Sequence, residues 1–194
     1  VLVIGTYAMT KFLNWDDMKT CTIFADGAGA CVMKAIETRE DRGFLASTLF
    51  ADGTYCDYLG TFVGGTKKPA TPERIERGEH YLTFHQRFPE DTNSSRWPLL
   101  IRETLGKKGL RVDEIDCVIF TQINRSVIVE VMDTLCLPME KTHTIMDKWG
   151  YTGSACIPMA LDDAVRKGKL EQGDLVVFCA SGVGIAMAVA AFRW

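Results

Sequence analysis

Cys117-Val118-Ile119-Phe120-Thr121-Gln122-Ile123-Asn124, followed by the helical pattern of 126–135, decides the fold class of this 194-residue chain. A short apolar run that ends in polar groups and passes straight into a helix reads as a buried strand feeding that helix. Val127, Val131 and Leu135 stand at i, i+4 and i+8, on one helical face, and Leu137-Pro138 ends the segment. The alternation then continues. Residues 142–146 read as a short strand, and 154–167 as a helix with Ala155, Met159, Ala160 and Ala164 inward. Residues 175–180 read as a strand, Ser181-Gly182-Val183-Gly184 as a tight turn, and 185–192 as a last strand. Strands alternating with helices imply right-handed β-α-β units and a mixed sheet covered on both faces, an α/β fold. Thr121 to Asn124 and Gly150-Tyr151-Thr152-Gly153-Ser154 lie at the ends of strand-like runs, where α/β proteins place chemistry.

Upstream the pattern is less regular. Residues 1–4 read as a buried strand ending at Gly5, and a chain that opens in mid-strand is expected to be a portion of a larger fold. Residues 11–19 are polar and turn-like. Asp26-Gly27-Ala28-Gly29-Ala30 is dense in small residues, which lets backbones approach closely. A strand is expected over 43–49, broken at Asp52-Gly53. Gly64-Gly65, Pro69, Pro72, Pro89 and Asn93-Ser94-Ser95 mark 60–98 as irregular chain with short helical pieces, and 97–105 as a helix.

Composition narrows the function classes. Net charge is -3, with 47% hydrophobic and 24% charged residues, so there is no basic footprint for nucleic acid and no polybasic arm for lipid. The apolar runs are strand-sized, shorter than a membrane span requires. Seven cysteines without a Cys-x-x-Cys pair argue against a disulfide framework and against a zinc site. Buried thiols in a reducing, cytoplasmic setting are expected instead.

Several motifs have competing readings. Gly182-x-Gly184 lacks a following helix and so reads as a hairpin rather than a dinucleotide loop. His85 and His143 are candidate bases without a visible nucleophile partner. Thr121, Gln122 and Asn124 are either active-site groups or strand-end polarity that caps the helix at Ser126.

Ordered blocks along the whole chain resemble the β-ketoacyl-acyl-carrier-protein synthase III group of the thiolase superfamily. Val3-Ile4-Gly5-Thr6 is similar to that family's Val-Val-Gly-Ser, and residues 24–30 to its Phe-Gly-Asp-Gly-Ala-Gly-Ala. Asp52-Gly53 matches its Ser-Asp-Gly turn, and Tyr151 to Leu161 matches its Asn-Thr-Ser-Ala-Ala-Ser-x-Pro-x-Ala-Leu. The resemblance implies an αβαβα sandwich of two similar halves. Residues 1–36 would be the last two strands of the N-terminal half, and 37–194 the complete C-terminal half.

What the resemblance implies for function is specific. The family moves an acyl group from coenzyme A to a Cys at a buried helix N-terminus, then condenses it with malonyl on acyl carrier protein. None of the seven cysteines here is expected at that nucleophile position, which belongs to the absent half. The family's His-Gln-Ala-Asn reads Thr121-Gln122-Ile123-Asn124 here, and its Gly-Asn-Thr reads Gly150-Tyr151-Thr152. Thr121 thus takes the place of the His, and Tyr151 that of the Asn, that together hold the thioester oxygen. A second hole uses a backbone N–H at Val183, flanked by Gly182 and Gly184. Thr121, Tyr151, Asn124 and Val183 are therefore the expected catalytic positions, and Gln122, Lys11, Gly182 and Gly184 the expected substrate contacts. Losing one hole donor slows a reaction by about 10²–10³, so the two exchanges bear on decarboxylative condensation. The expected activity is acyl transfer from acyl-CoA or acyl-ACP thioesters in fatty-acid or related secondary-metabolite synthesis. No permanently bound cofactor or metal is expected, and a homodimer, or a heterodimer with a related chain, is. The alternative is a non-catalytic synthase-like partner subunit. A degradative thiolase fits less well, because its late Gly-His-Pro setting reads Ala180-Ser181-Gly182 here.

Overall fold

The computed structural model describes residues 1–37 and 42–194. The strands are β1 (Leu2–Tyr7), β2 (Gly27–Val32), β3 (Gly43–Ala51), β4 (Leu59–Gly60), β5 (Thr83–Phe84), β6 (Cys117–Phe120), β7 (Leu175–Gly182) and β8 (Ala186–Arg193). The helices are α1 (Pro72–Glu76), α2 (Thr92–Gly106), α3 (Arg125–Thr134), α4 (Met146–Trp149) and α5 (Cys156–Arg166).

The central sheet has the order β3-β8-β7-β6, with β6 and β7 parallel and the other pairs antiparallel. It is the expected mixed sheet, closed at its C-terminal end by the expected β7–β8 hairpin. Alternation along β6 and β7 explains their unbroken apolar sequences. Val118, Phe120, Val177 and Cys179 enter the core with Trp97 and Ile101 of α2 and Ile128 and Met132 of α3. Cys117, Ile119, Val176 and Phe178 point the other way, to Ala160 and Met159 of α5. On its far side α5 carries the two-stranded β1–β2 sheet. The layers of the described residues are thus α2 and α3, the four-stranded sheet, α5, and the β1–β2 hairpin.

The small residues of β1 and β2 are what allow that last contact. A Cβ on Gly5 would lie 2.3 Å from the Ser154 carbonyl oxygen, and one on Gly29 2.8 Å from Pro158 Cβ. The close-packing reading of Asp26-Gly27-Ala28-Gly29-Ala30 is what the structure shows.

Four expectations need correction. Residues 1–4 are not buried by the described residues: Val1 is 87% exposed and Ile4 58%, because among these residues β1 pairs with β2 alone and nothing covers one face of the hairpin. Residues 142–146 do not form a strand. Only Thr142 bridges to Val118, and the Ile145 N–H is taken by the Gln122 side chain, so the chain turns away into α4. The helix at 154–167 opens with a 3₁₀ turn at Gly153–Ala155 before α5. α2 starts five residues early, at Thr92, with the Ser and Asn residues in its first turn, where local side-chain bonding suits them. The boundary expected at 36/37 lies in the β2–β3 connection, beside the undescribed residues 38–41.

Gly29→Ala is predicted to destabilise by about 1–3 kcal/mol through overpacking against Pro158 and the Met159 backbone. Gly53→Ala, whose Cβ meets nothing within 4 Å, is the control. Equal urea midpoints for the two variants would show that the hairpin does not press on α5.

Candidate active site

A cavity of about 460 Å³ opens between the end of β6, the β7–β8 turn, the 150–157 segment and the β1–β2 hairpin. It brings together Thr121, Tyr151, Gly182 and Val183 of the expected site residues. Asn124, Gln122, Lys11 and Gly184 are not part of its lining.

Asn124, Gln122 and Gly184 make contacts within the fold. Asn124 is the N-cap of α3: its Oδ1 accepts from Ser126 N–H at 3.0 Å and from the Ser126 hydroxyl at 2.7 Å. Gln122, expected at the substrate, is only 1% exposed. Its amide nitrogen donates to the Phe120 and His143 carbonyls, and its Oε1 accepts from Ile145 N–H, which pins the 143–145 chain to β6. Lys11 is exposed in a 3₁₀ turn beside Asp26. Gly184 anchors the β7–β8 turn, its carbonyl accepting from Tyr55 N–H at 3.1 Å.

Thr121 lies in the cavity wall, but its hydroxyl is committed. The Oγ1 accepts from Ser181 N–H at 2.9 Å and donates to Ser181 O at 3.5 Å, while Thr121 N–H donates to Cys179 O. A β-branched hydroxyl here extends the β6–β7 ladder by one rung. Val183 N–H, by contrast, has no partner among the described residues.

Tyr151 is held by its backbone, donating to Ile23 O and accepting from Ala25 N–H. Its ring packs at 5.6 Å from Phe24 and 6.1 Å from Tyr7, centroid to centroid. Neither the Tyr7 nor the Tyr151 hydroxyl has a hydrogen-bond partner among the described residues. Burial, reinforced by Asp26, pushes Tyr7 up to about 12. Burial pushes Tyr151 higher still, with Cys156 and Tyr7 adding to it. Both phenols therefore remain protonated donors at neutral pH.

Sequence reading missed Tyr7 and Cys156 as lining residues. Tyr7 follows directly on the Val3-Ile4-Gly5-Thr6 block, and its ring lies where a Cβ on Gly153 would be, 2.4 Å from Tyr7 Cδ2. The signal was Gly153 itself, which stands where the family pattern has Ser. Cys156, the first residue of α5, is 2% exposed at the cavity. Burial raises its pKa against the opposing backbone N–H groups of Gln122 and Ile157, so it stays a thiol.

The two candidate histidines lie elsewhere. His85 stacks on Phe62 at 4.3 Å. His143 is buried, its Nε2 2.7 Å from Asp163 Oδ2, and burial lowers its pKa. Asp163 also meets Lys167 and Lys148, and Lys167 contributes most to holding its carboxyl far below the usual carboxylate range.

Residues 105–194 match the family described as 3-oxoacyl-[acyl-carrier-protein (ACP)] synthase III C terminal, and residues 1–53 match 3-oxoacyl-[acyl-carrier-protein (ACP)] synthase III. The chain belongs to the synthase III family. It is 37% identical to the beta-ketoacyl-[acyl-carrier-protein] synthase III of Symbiobacterium thermophilum and 39% identical to that of Rhizorhabdus wittichii. In both cases it aligns along 100% of its own length but spans 58% of the relative. The solved synthase III structures from Aquifex aeolicus and Thermus thermophilus superpose on the entire chain with TM-scores of 0.82 and 0.86, each at 30% identity. The chain covers 57% and 59% of those two structures. The fold is thus thiolase-like, with α5 a buried inner layer between two sheets. Among the described residues no helix is long and apolar enough to cross a membrane, and no cluster of metal-ligating side chains is present.

Two outcomes test this site. Thr121→Val, which leaves Ser181 N–H without its acceptor, is predicted to destabilise by about 1–3 kcal/mol, and Thr121→Ser to restore most of that. No loss in Thr121→Val, measured by chemical denaturation, would show that the hydroxyl is free for substrate. The phenols give a pH signature. An unfolded Tyr loses its proton near pH ~10, whereas folded Tyr7 holds it to about 12. The stability this contributes is full below the unfolded pKa and is lost as pH rises through the folded one. Tyr7→Phe is predicted to flatten the alkaline fall in stability, which parallel urea titrations across that range measure.

Proposed function

We propose that the chain forms the second-substrate side of a synthase III-like acyltransferase that acts on acyl-CoA or acyl-ACP thioesters in fatty-acid or related secondary-metabolite synthesis. One observation carries this reading: residues 121, 151 and 183, to which the resemblance gives the donor positions, and Gly182 beside them line one cavity although they come from three separate segments. Val183 N–H, unpartnered among the described residues, supplies a backbone donor, and Tyr151 a phenolic one. Thr121 shapes the wall rather than donating, and Asn124 and Gln122 hold the helix and loop behind it. Lys11, at the exposed edge of the hairpin, and the glycines 182 and 184 complete the substrate side of this reading. Residues 1–36 belong to one thiolase-like half and 37–194 to the other.

In this proposal a Cys outside the chain attacks the thioester carbonyl. The new C–S bond forms as the bond to coenzyme A breaks, and the released thiolate takes the proton. No permanently bound cofactor is needed, because the coenzyme A thioester is itself the substrate. Acyl carrier protein as donor or acceptor, a homodimer or a heterodimer with a related chain, and a cytoplasmic setting complete the proposal. The similarity to relatives named beta-ketoacyl-[acyl-carrier-protein] synthase III supports it.

One observation favours the alternative, a non-catalytic synthase-like subunit: the Thr121 hydroxyl and the Asn124 amide are already bonded within the protein. Intact-protein mass spectrometry of the full-length protein after incubation with acyl-CoA separates the two. A covalent acyl adduct with release of coenzyme A is expected. A complete absence of adduct, with the protein folded, would leave the partner-subunit reading.

A further inference from the structure

No charged side chain lines the cavity among the described residues. Its wall is aromatic and aliphatic at Tyr7, Phe24, Leu59, Leu82, Tyr151 and Ile157. The polar groups nearest the strand ends face inward to the protein: Thr121 bonds Ser181, and the Ser154 hydroxyl donates to the Thr6 carbonyl. The phenols of Tyr7 and Tyr151 remain, neutral and able to donate to a carbonyl oxygen, with the small hydroxyls of Thr61 and Ser181 also in the lining. A carboxylate entering the same space would give up its hydration without meeting a cation in the cavity wall, since Lys11 stands at the exposed edge outside it. Asp26, whose negative charge acts on the Tyr7 hydroxyl, and Lys11 beside it both lie outside that wall.

The geometry of Tyr7 is conditional on one neighbour. Gly153, at φ +51°, lies directly under the ring, and a Cβ there would fall within 2.5 Å of three ring carbons. The family pattern places Ser at this position and Asn at 151. The exchange of both, together with a Tyr at 7, builds an aromatic pair where the pattern has two small polar side chains.

We propose that Tyr7, seated on Gly153 and packed against Tyr151, makes this cavity selective for uncharged acyl thioesters over those that carry a free carboxylate. This rests on the acyl-thioester reading above. Tyr7 acts as a positioning residue: its ring fixes the Tyr151 ring, whose hydroxyl meets the thioester carbonyl. The second substrate is then an uncharged acyl group, and the exchanged residues set that preference rather than merely weakening a malonyl site.

Calorimetric titration of the full-length protein tests this with two coenzyme A analogues whose thioester sulfur is replaced by an amide nitrogen, so that neither acyl transfer nor loss of the carboxylate occurs. One bears an acetyl group, the other a malonyl group. The parent protein is expected to bind the malonyl analogue about tenfold or more weakly than the acetyl one. Tyr7→Phe, which keeps the ring, is expected to retain that preference. Tyr7→Ala and Gly153→Ser are expected to bring the two affinities within about twofold. Equal affinities in the parent, or an undiminished preference in a folded Tyr7→Ala variant, would overturn the inference while leaving acyl-thioester binding intact. Binding of neither analogue would overturn the acyl-thioester reading itself. The comparison of ligands on the parent protein stands even if a substituted chain fails to fold.

Discussion

The distance between the β1–β2 hairpin and α5 governs the rest of the molecule. Glycines at 5, 27 and 29 let the hairpin backbone lie against Ser154, Thr152, Pro158 and Met159 with no side chain between them. A Cβ at any of the three would meet another atom at 2.8 Å or less, distances real Cβ contacts do not show. That approach buries α5 on both sides, because its other face already covers Ile119 and Val176 of the central sheet. It also carries Tyr7 and Phe24 to the end of β6, so one wall of the cavity comes from the hairpin and the other from the sheet.

The second constraint is hydrogen bonding at the strand ends. A backbone group that leaves a sheet in a buried place needs a partner. Here side chains supply it: Thr121 takes Ser181 N–H and Gln122 takes Ile145 N–H, while Asn124 caps the exposed first turn of α3 at Ser126 N–H. These residues stand in a motif where the family places chemistry, and three of the four positions serve the fold in this chain. The polar groups left facing the cavity are neutral ones: the hydroxyls of Thr61 and Ser181, and two phenols and a buried thiol that an apolar setting keeps protonated. An ion-paired cluster lies elsewhere, where Asp163 meets Lys148 and Lys167 and bonds the buried His143.

How much was legible in the sequence depended on the range of the interaction that decided each element. The buried strand at 117–120 and the helix after it declare themselves through local periodicity, and the β7–β8 turn through its glycines. The segment 142–146 looked like a strand because its side chains are strand-formers, but a distant glutamine takes the backbone group a strand would have paired. Residues 1–4 looked buried because they are apolar, yet none of the described residues covers that face of the hairpin, and what lies across a strand is not encoded in its local pattern. Asn124 was legible in both its guises, and the structure shows the helix cap.

The sequence by itself determined the α/β class, the family, and the two positions at which this chain departs from the family's donor pair. Each is a matter of residue identity and order along the chain. Only the tertiary structure decided which polar groups face the cavity. Thr121 and Tyr151 are both hydroxyl donors on paper, but the Thr121 oxygen lies within reach of the Ser181 backbone and the Tyr151 oxygen does not. Only the structure, too, brought Tyr7 to the site. Its position follows from the missing side chain at Gly153, a contact between residues far apart in sequence that depends on an absent atom rather than a present one.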